Sequence, residues 1–212
     1  MSSREQILAQ IRAALGGFPA TEPVDVDRGY LDTHTPDEAS AMLELLHENL
    51  ADYRAHVHRS SPEDLPGVVA GLLSARGSRS VAVPTGLDER WLSETEVLRV
   101  PDDPPLTAAQ LDGVDSVVTS CALAIAETGT IVLDCGPGQG RRALTLVPDH
   151  HICVVTSDQI VASVPRALGR LDPLRAQTWI SGPSATSDIE LDRVEGVHGP
   201  RRLDVVLLPH AL

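Results

Sequence analysis

Three short stretches carry polar residues of the kind that bind or transform small molecules. The first is IAETGTIVL, in which Glu127, Thr128 and Gly129 interrupt an apolar run just before a predicted strand. A carboxylate there lies either at the end of a sheet or partly inside the protein, where it must be paired or have its pKa raised. Glu127 is therefore a candidate nucleophile, base or ligand contact, with Thr128 and Gly129 as candidate ligand contacts. The alternative is a polar turn between two strands.

The second stretch is CGPGQGRR, residues 135–142, which directly follows another predicted strand. Its glycines would let backbone amides approach an anion, and Arg141 or Arg142 would hold a carboxylate or phosphate by a two-pronged hydrogen bond. It is not a dinucleotide-binding fingerprint, because the spacing is GxGxG and Pro137 removes one amide donor. The alternative is a flexible hairpin loop with solvated arginines.

The third stretch is SGPSATSDIE, residues 181–190, followed by GVHGP. It comes after the apolar strand QTWIS, and open α/β sheets usually bind ligands at the carboxyl ends of their strands. The alternative is a helix N-cap without a ligand. His198 is a candidate general base, although a lone histidine is more often structural. The candidate ligand-binding residues are Ser181, Gly182, Ser184, Thr186 and Asp188.

The charged residues limit the chemistry of such a site. The chain has seventeen arginines and no lysine against thirty aspartates and glutamates, for a net charge of -13. Schiff-base chemistry and a lysine-containing phosphate loop are therefore excluded, and the cation of any anion site must be an arginine. The acidic balance and the scattered arginines also argue against nucleic-acid binding.

The cysteines and histidines do not form a recognisable metal site. The three cysteines, Cys121, Cys135 and Cys153, include no CxxC pair, so neither a disulfide framework nor an iron–sulfur or zinc ligand set is indicated. All three lie in or beside apolar segments, and we expect them to be small buried hydrophobes. The histidine pairs at 56/58 and 150/151 lack a third ligand at a suitable spacing, so no metal site is predicted.

The elements that must position these residues divide the chain in two. Residues 1–35 are predicted to form an amphipathic helix, with a capping box at Ser2 and Glu5, and a connector rich in proline and acids. Residues 36–212 are predicted to form one α/β domain, with helices beginning near Thr35 and Ser61. The chain has no apolar run of 18 residues and no leader-like N-terminus, so a cytoplasmic location is expected.

Short apolar runs that alternate with polar segments predict the sheet. Several are almost continuous Val, Ile and Leu, which is typical of parallel strands covered on both faces. We therefore predict a three-layer α/β sandwich with a mostly parallel sheet, and some antiparallel pairing because residues 130–156 contain few helix signals. The predicted strands lie at 80–83, 97–100, 115–119, 130–134, 152–156, 177–181 and 203–208, after a first strand within YRAHVHRS.

The order of the three stretches, with LVPDHHICVV after the second, resembles the LUD-domain family of the stand-alone lactate utilisation C type over roughly residues 114–208. The resemblance implies a part in the bacterial oxidation of L-lactate to pyruvate, together with iron–sulfur partner proteins. It also implies a fold similar to the sugar-phosphate isomerase and CoA-transferase group. Because this chain has no cysteine set for a cluster, no cofactor is expected in it and the iron–sulfur clusters are expected on the partners only.

Three functional hypotheses remain open at this point. The chain is a subunit that binds a small anionic ligand, with Arg142 pairing a carboxylate and Glu127 or His198 handling a proton. Alternatively it is a free-standing acyl/CoA- or nucleotide-dependent enzyme that uses Glu127 as nucleophile, by analogy of fold. The third hypothesis is a non-catalytic docking subunit that contacts a partner through its N-terminal helix.

Overall fold

The computed structural model describes residues 2–16, 29, 31–35, 37–186, 194–195 and 199–209, with only the backbone at 185–186 and 194–195. The chain divides into two compact units, Met1–Leu31 and Asp32–Leu212. In the first unit, α1 spans Ser3–Leu15 and begins with the predicted capping box: the Ser2 hydroxyl accepts from the Glu5 N–H, and the Glu5 carboxylate accepts from the Ser2 N–H.

The second unit is an α/β domain in which every run predicted as a strand overlaps an observed one. The strands β1 to β12 of its described residues are, in chain order, His56–Arg59, Ser80–Val83, Leu98–Pro101, Ser116–Thr119, Leu123–Ile125, Thr130–Leu133, His150–Thr156, Ile160–Val161, Thr178–Ile180, Ala185–Thr186, Val194–Glu195 and Arg202–Leu208. Six of these strands form a wholly parallel sheet with the order β1-β12-β7-β4-β2-β3.

The described residues of this unit contain four helices: α2 Ala39–Asp52, α3 Leu65–Arg76, α4 Ala108–Asp112 and α5 Val164–Leu168. α2 begins three residues later than predicted, because the Thr35 hydroxyl pairs with Thr33 and Glu38 occupies the N-cap position. α3 likewise begins after the predicted Ser61 and ends, as expected, at Gly77 in the left-handed conformation. None of the helices in the described part of the chain could cross a membrane.

A second sheet supplies the antiparallel pairing that the sequence predicted. It has the order β8-β5-β6-β9, and both β5 and β9 run antiparallel to β6. Together with α2 it covers one face of the parallel sheet, where Leu46, Leu50, Ile131 and Val205 are buried. α3 covers the other face. The three layers are therefore a helical layer, the parallel sheet, and a layer of α2 with the small sheet.

The expectation for the cysteines holds for two of the three. Cys121 and Cys153 are buried in the core beneath α2 and the small sheet. Cys135 is exposed and adopts a φ of 61°, so the prediction that it is a buried hydrophobe was wrong. The reason is that β6 ends at Leu133, which leaves Cys135 in the turn that opens the glycine-rich loop.

Candidate functional site

A cavity of about 310 Å³ lies at the amino ends of β7 and β12. Its floor contains His151 and Leu203, which are paired neighbours in the parallel sheet. The expected position was the carboxyl end of the strand QTWIS in the parallel sheet. That strand, β9, instead lies in the second sheet, antiparallel to β6, and residues of the loop that follows it line the cavity.

Arg142 is the arginine that lines this cavity. It begins the 3-10 turn Arg142–Thr145, and its exposed guanidinium makes no ion pair with another described residue. Arg141 is engaged elsewhere: its Nε and Nη2 lie 2.7 and 2.9 Å from the two carboxylate oxygens of Asp102. Burial raises the pKa of Asp102, but the Arg141 hydrogen bond and the Leu106 N–H outweigh this and hold it below its ordinary value. The structure therefore places Arg142, and not Arg141, in the lining of this cavity.

His151 is a site residue to which no role was assigned from the sequence. It is almost fully buried in the cavity floor, and its Nε2 lies 2.8 Å from the Thr119 hydroxyl. Burial, reinforced by the neighbouring His150, lowers the pKa of His151 to about 3. The imidazole is therefore neutral at pH 7, and Arg142 supplies the positive charge of the cavity. The signal in the sequence was a doubled histidine at the start of a strand, where neighbours point to opposite faces.

A chain of hydroxyl groups connects the first and third motifs. Thr128 Oγ1 donates to Thr130 Oγ1 over 2.8 Å, and Thr130 Oγ1 lies 2.8 Å from Ser181 Oγ. Ser181 lines the cavity, as do Gly182 and Ser184. Three of the five predicted ligand contacts of the third stretch thus line the cavity, and Thr128 connects to Ser181 through Thr130.

Glu127 lies outside the cavity lining. Its Oε1 accepts from the Val164 N–H at 3.2 Å, at the first residue of α5, and its own N–H donates to the Ala162 carbonyl. Gly129 packs closely on α2: its φ is 58°, and a Cβ there would lie 2.7 Å from the Asn49 carbonyl carbon. These two residues hold α2 and α5 around the turn, and a nucleophilic role for Glu127 stays a prediction.

Three amides of the glycine-rich loop are used within the protein. The Gly136 N–H donates to Asp134 at 3.1 Å, the Gly138 N–H donates to the Thr85 carbonyl at 2.9 Å, and the Gln139 N–H donates to the Gly136 carbonyl. Of residues 135–142, Arg142 alone lines the cavity, so the loop contributes to the site through this arginine.

The loop of the third motif is held against α2 and the start of β12. Gly182 has a φ of 81°, and a Cβ there would overlap the Tyr53 carbonyl oxygen. The Ser184 N–H donates to the Pro200 carbonyl at 2.9 Å. Of the other predicted contacts, Thr186 is described by its backbone alone, and both Asp188 and His198 lie outside the described residues.

The described residues contain no group of three or more His, Cys, Asp or Glu side chains placed to hold a metal ion. What the cavity offers is one guanidinium, a neutral imidazole and several hydroxyl groups. This combination suits a small anion with further hydrogen-bonding groups, such as a hydroxy acid.

Comparison with known proteins finds similar chains of nearly the same extent. The LUD domain family model matches residues 43–208. A protein of Deinococcus radiodurans named lactate utilization protein C is 50% identical over 178 residues, covering 82% of each chain. A Bacillus pumilus protein of the same name is 27% identical over 98% of this chain and 97% of its own. The crystal structure of a DUF162 family protein from Deinococcus radiodurans covers 82% of this chain and 99% of that chain, with 41% identity and a TM-score of 0.70.

Proposed function

The chain belongs to the LUD-domain family, and on that premise we propose that it takes part in bacterial lactate utilisation as a subunit that binds a small carboxylate anion. The names of its relatives support the pathway. The single observation that carries the ligand class is Arg142, which lines a small cavity and has no ion-pair partner among the described residues. The same cavity is also lined by the neutral His151.

The proposed ligand is L-lactate or its oxidation product, pyruvate. The carboxylate pairs with the Arg142 guanidinium through two parallel hydrogen bonds. The neighbouring hydroxyl or keto oxygen would hydrogen-bond to the hydroxyls of Ser181 and Ser184, which line the same cavity. The electrons released by the oxidation pass to iron–sulfur clusters on partner proteins, and this chain holds the small anion within the assembly.

The binding test is titration calorimetry of the purified protein with L-lactate and with pyruvate. We expect the Arg142→Gln variant to lose about tenfold or more in affinity, because a charge-assisted hydrogen bond contributes about 1.5–3 kcal/mol. Arg79→Gln removes the same charge from an exposed arginine that lines a different cavity, and it should bind as the unchanged protein does. Equal affinities of the two variants would exclude Arg142 as the anion contact.

The pathway is tested by growth. A strain that lacks the gene should fail to grow on L-lactate and should grow normally on pyruvate. A plasmid copy with Arg79→Gln should restore growth, and a copy with Arg142→Gln should restore it poorly. Normal growth of the deletion strain on L-lactate would contradict the proposed role.

A second candidate function is docking through α1, and the exposure of its apolar side chains favours it. Ile7, Ile11 and Leu15 are 56%, 49% and 59% exposed, and no residue of α1 is buried. An amphipathic helix of this kind is a common partner for a groove on another protein. The two functions are compatible, because one concerns the cavity and the other concerns α1.

A further inference from the structure

The imidazole of His151 has one ring nitrogen that is hydrogen-bonded and one that is not. Its Nε2 lies 2.8 Å from the Thr119 hydroxyl, and no described residue makes a hydrogen bond with its Nδ1. In the described part of the chain, the only fully enclosed side-chain nitrogen or oxygen without a partner is His47 Nδ1. The Nδ1 of His151 is therefore open to space, and the space that this side chain lines is the cavity of Arg142.

This open nitrogen belongs to a side chain that is otherwise enclosed. His151 is 1% exposed and lies in the cavity floor beside Leu203. Buried polar atoms almost always have a hydrogen-bond partner, because leaving one unpaired costs free energy. A buried ring nitrogen that meets only the cavity therefore indicates the place where an atom of the ligand binds.

Thr119 determines which nitrogen of the ring carries the proton. The pKa of His151 is about 3, so the ring has a single N–H at pH 7. The Thr119 hydroxyl is buried, and His151 Nε2 is its one partner among the described residues. If Nε2 carried the proton, the hydroxyl proton would have no acceptor, and an unpaired donor is less tolerated than a free lone pair. Thr119 therefore donates to Nε2, and the ring proton is on Nδ1, at the cavity.

An N–H in the same cavity as a guanidinium suits a particular class of carboxylate. In 2-oxo and 2-hydroxy acids, the carbon next to the carboxylate carries an oxygen that can accept from the N–H while Arg142 binds the carboxylate. A keto oxygen has two lone pairs, so it can accept from His151 and from a serine hydroxyl together. Propionate has no oxygen at this carbon and would leave the N–H without an acceptor.

We propose that His151 selects carboxylates with an oxygen on the second carbon, by donating its Nδ1–H to that oxygen. Thr119 is a positioning residue, because it holds the ring proton on Nδ1. The inference rests on the lactate role proposed above and deepens it, since it names the group that distinguishes lactate and pyruvate from simple carboxylates. His151 acts here as a donor, so in this form it does not take the proton of a hydroxyl ligand.

The binding test compares pyruvate with propionate by titration calorimetry on the full chain. The unchanged protein should bind pyruvate about tenfold or more tightly than propionate. His151→Phe keeps a ring and removes the N–H, so it should bind pyruvate about as weakly as propionate. His151→Asn has an amide N–H near the position of Nδ1 and should recover part of the difference. Thermal unfolding of each variant establishes that it is folded.

The position of the ring proton is measured by nitrogen-15 NMR of protein labelled at histidine. The free protein at pH 7 should carry the His151 proton on Nδ1. Thr119→Val should move part of it to Nε2 and weaken pyruvate binding, which a merely structural threonine would not do. Thr95→Val is the matched control, because its hydroxyl accepts from the Val97 N–H outside the cavity. It should leave the proton and the affinity unchanged.

This inference can fail while the lactate role stands. It is overturned if propionate binds as tightly as pyruvate, if a folded His151→Phe keeps the full pyruvate affinity, or if the proton is on Nε2 in the unchanged protein. Should His151→Phe not fold, the propionate comparison and Thr119→Val still decide, because both leave His151 in place. If neither pyruvate nor L-lactate binds the unchanged protein, the lactate role itself fails, and this inference fails with it.

Discussion

At the residue scale, two adjacent histidines have opposite electrostatic surroundings. His150 points to one face of the parallel sheet, where its Nε2 lies 2.9 Å from the buried carboxylate of Asp204. Burial raises the pKa of Asp204, but hydrogen bonds from His150, Arg202 and His58 outweigh this and hold it well below its ordinary value. His151 points to the other face, toward the cavity, and has only the Thr119 hydroxyl as a partner among the described residues. Its pKa therefore falls.

The His151 environment predicts a loss of stability in mild acid. The unfolded chain binds a proton at this residue below about pH 6.5, and the folded protein does so only near pH 3. The free energy of unfolding should therefore fall as the pH is lowered, by about 2 kcal/mol between about pH 7 and pH 5 from this group. Urea denaturation at both pH values measures it. His151→Gln, which cannot titrate, is the comparison.

Asp204 does not interfere with this experiment. A lowered carboxyl pKa contributes stability that is lost only as the pH falls below the ordinary aspartate value of about 3.9. The difference between the unchanged protein and His151→Gln should accordingly appear between pH 7 and pH 5. If both proteins lose the same free energy over that interval, His151 is not buried in its neutral form.

At the element scale, the loop of residues 181–184 depends on one glycine. Gly182→Ala would place a Cβ against the Tyr53 carbonyl at a positive φ, so the loop must move away from the end of α2. We expect a loss of about 2 kcal/mol in stability and weaker L-lactate binding, because the loop carries Ser181 and Ser184. Urea denaturation and calorimetry measure the two effects.

Gly71→Ala is the matched control for Gly182→Ala. Gly71 lies inside α3, and the space that an added methyl group would take has no other atom within 4 Å, so alanine should stabilise the protein by about 0.5–1 kcal/mol. L-lactate binding should be unchanged in this variant. If Gly182→Ala leaves the free energy of unfolding unchanged and Gly71→Ala lowers it, the packing described for the loop is contradicted.

The elements also show how far the sequence predicts the structure. Apolar runs identified the strands of the parallel sheet, because burial on both faces leaves a continuous pattern. The three-residue β5 was not distinguished from the turn after it, and the division of the strands between two sheets was not predicted, because apolar composition does not specify strand direction. The sequence could not choose between Arg141 and Arg142, since only the folded chain brings Asp102 to Arg141.

At the scale of the whole molecule, the exposed apolar side chains of α1 predict that this helix contacts another protein. Ile7→Glu together with Ile11→Glu places charge on its apolar stripe, whereas Gln6→Glu together with Gln10→Glu adds the same charge to exposed polar positions. The melting temperature should be unchanged in both, because α1 buries no residue. If α1 docks, only the first pair should reduce growth on L-lactate. Equal growth of both strains would argue against docking.

The buried carboxylate of Asp204 joins three neighbouring strands of the parallel sheet. It accepts from Arg202 on its own strand and lies within hydrogen-bond distance of His58 on β1 and of His150 on β7. Loss of this one carboxylate would leave polar groups on three strands without their acceptor, so its cost would spread across the sheet that carries the cavity floor.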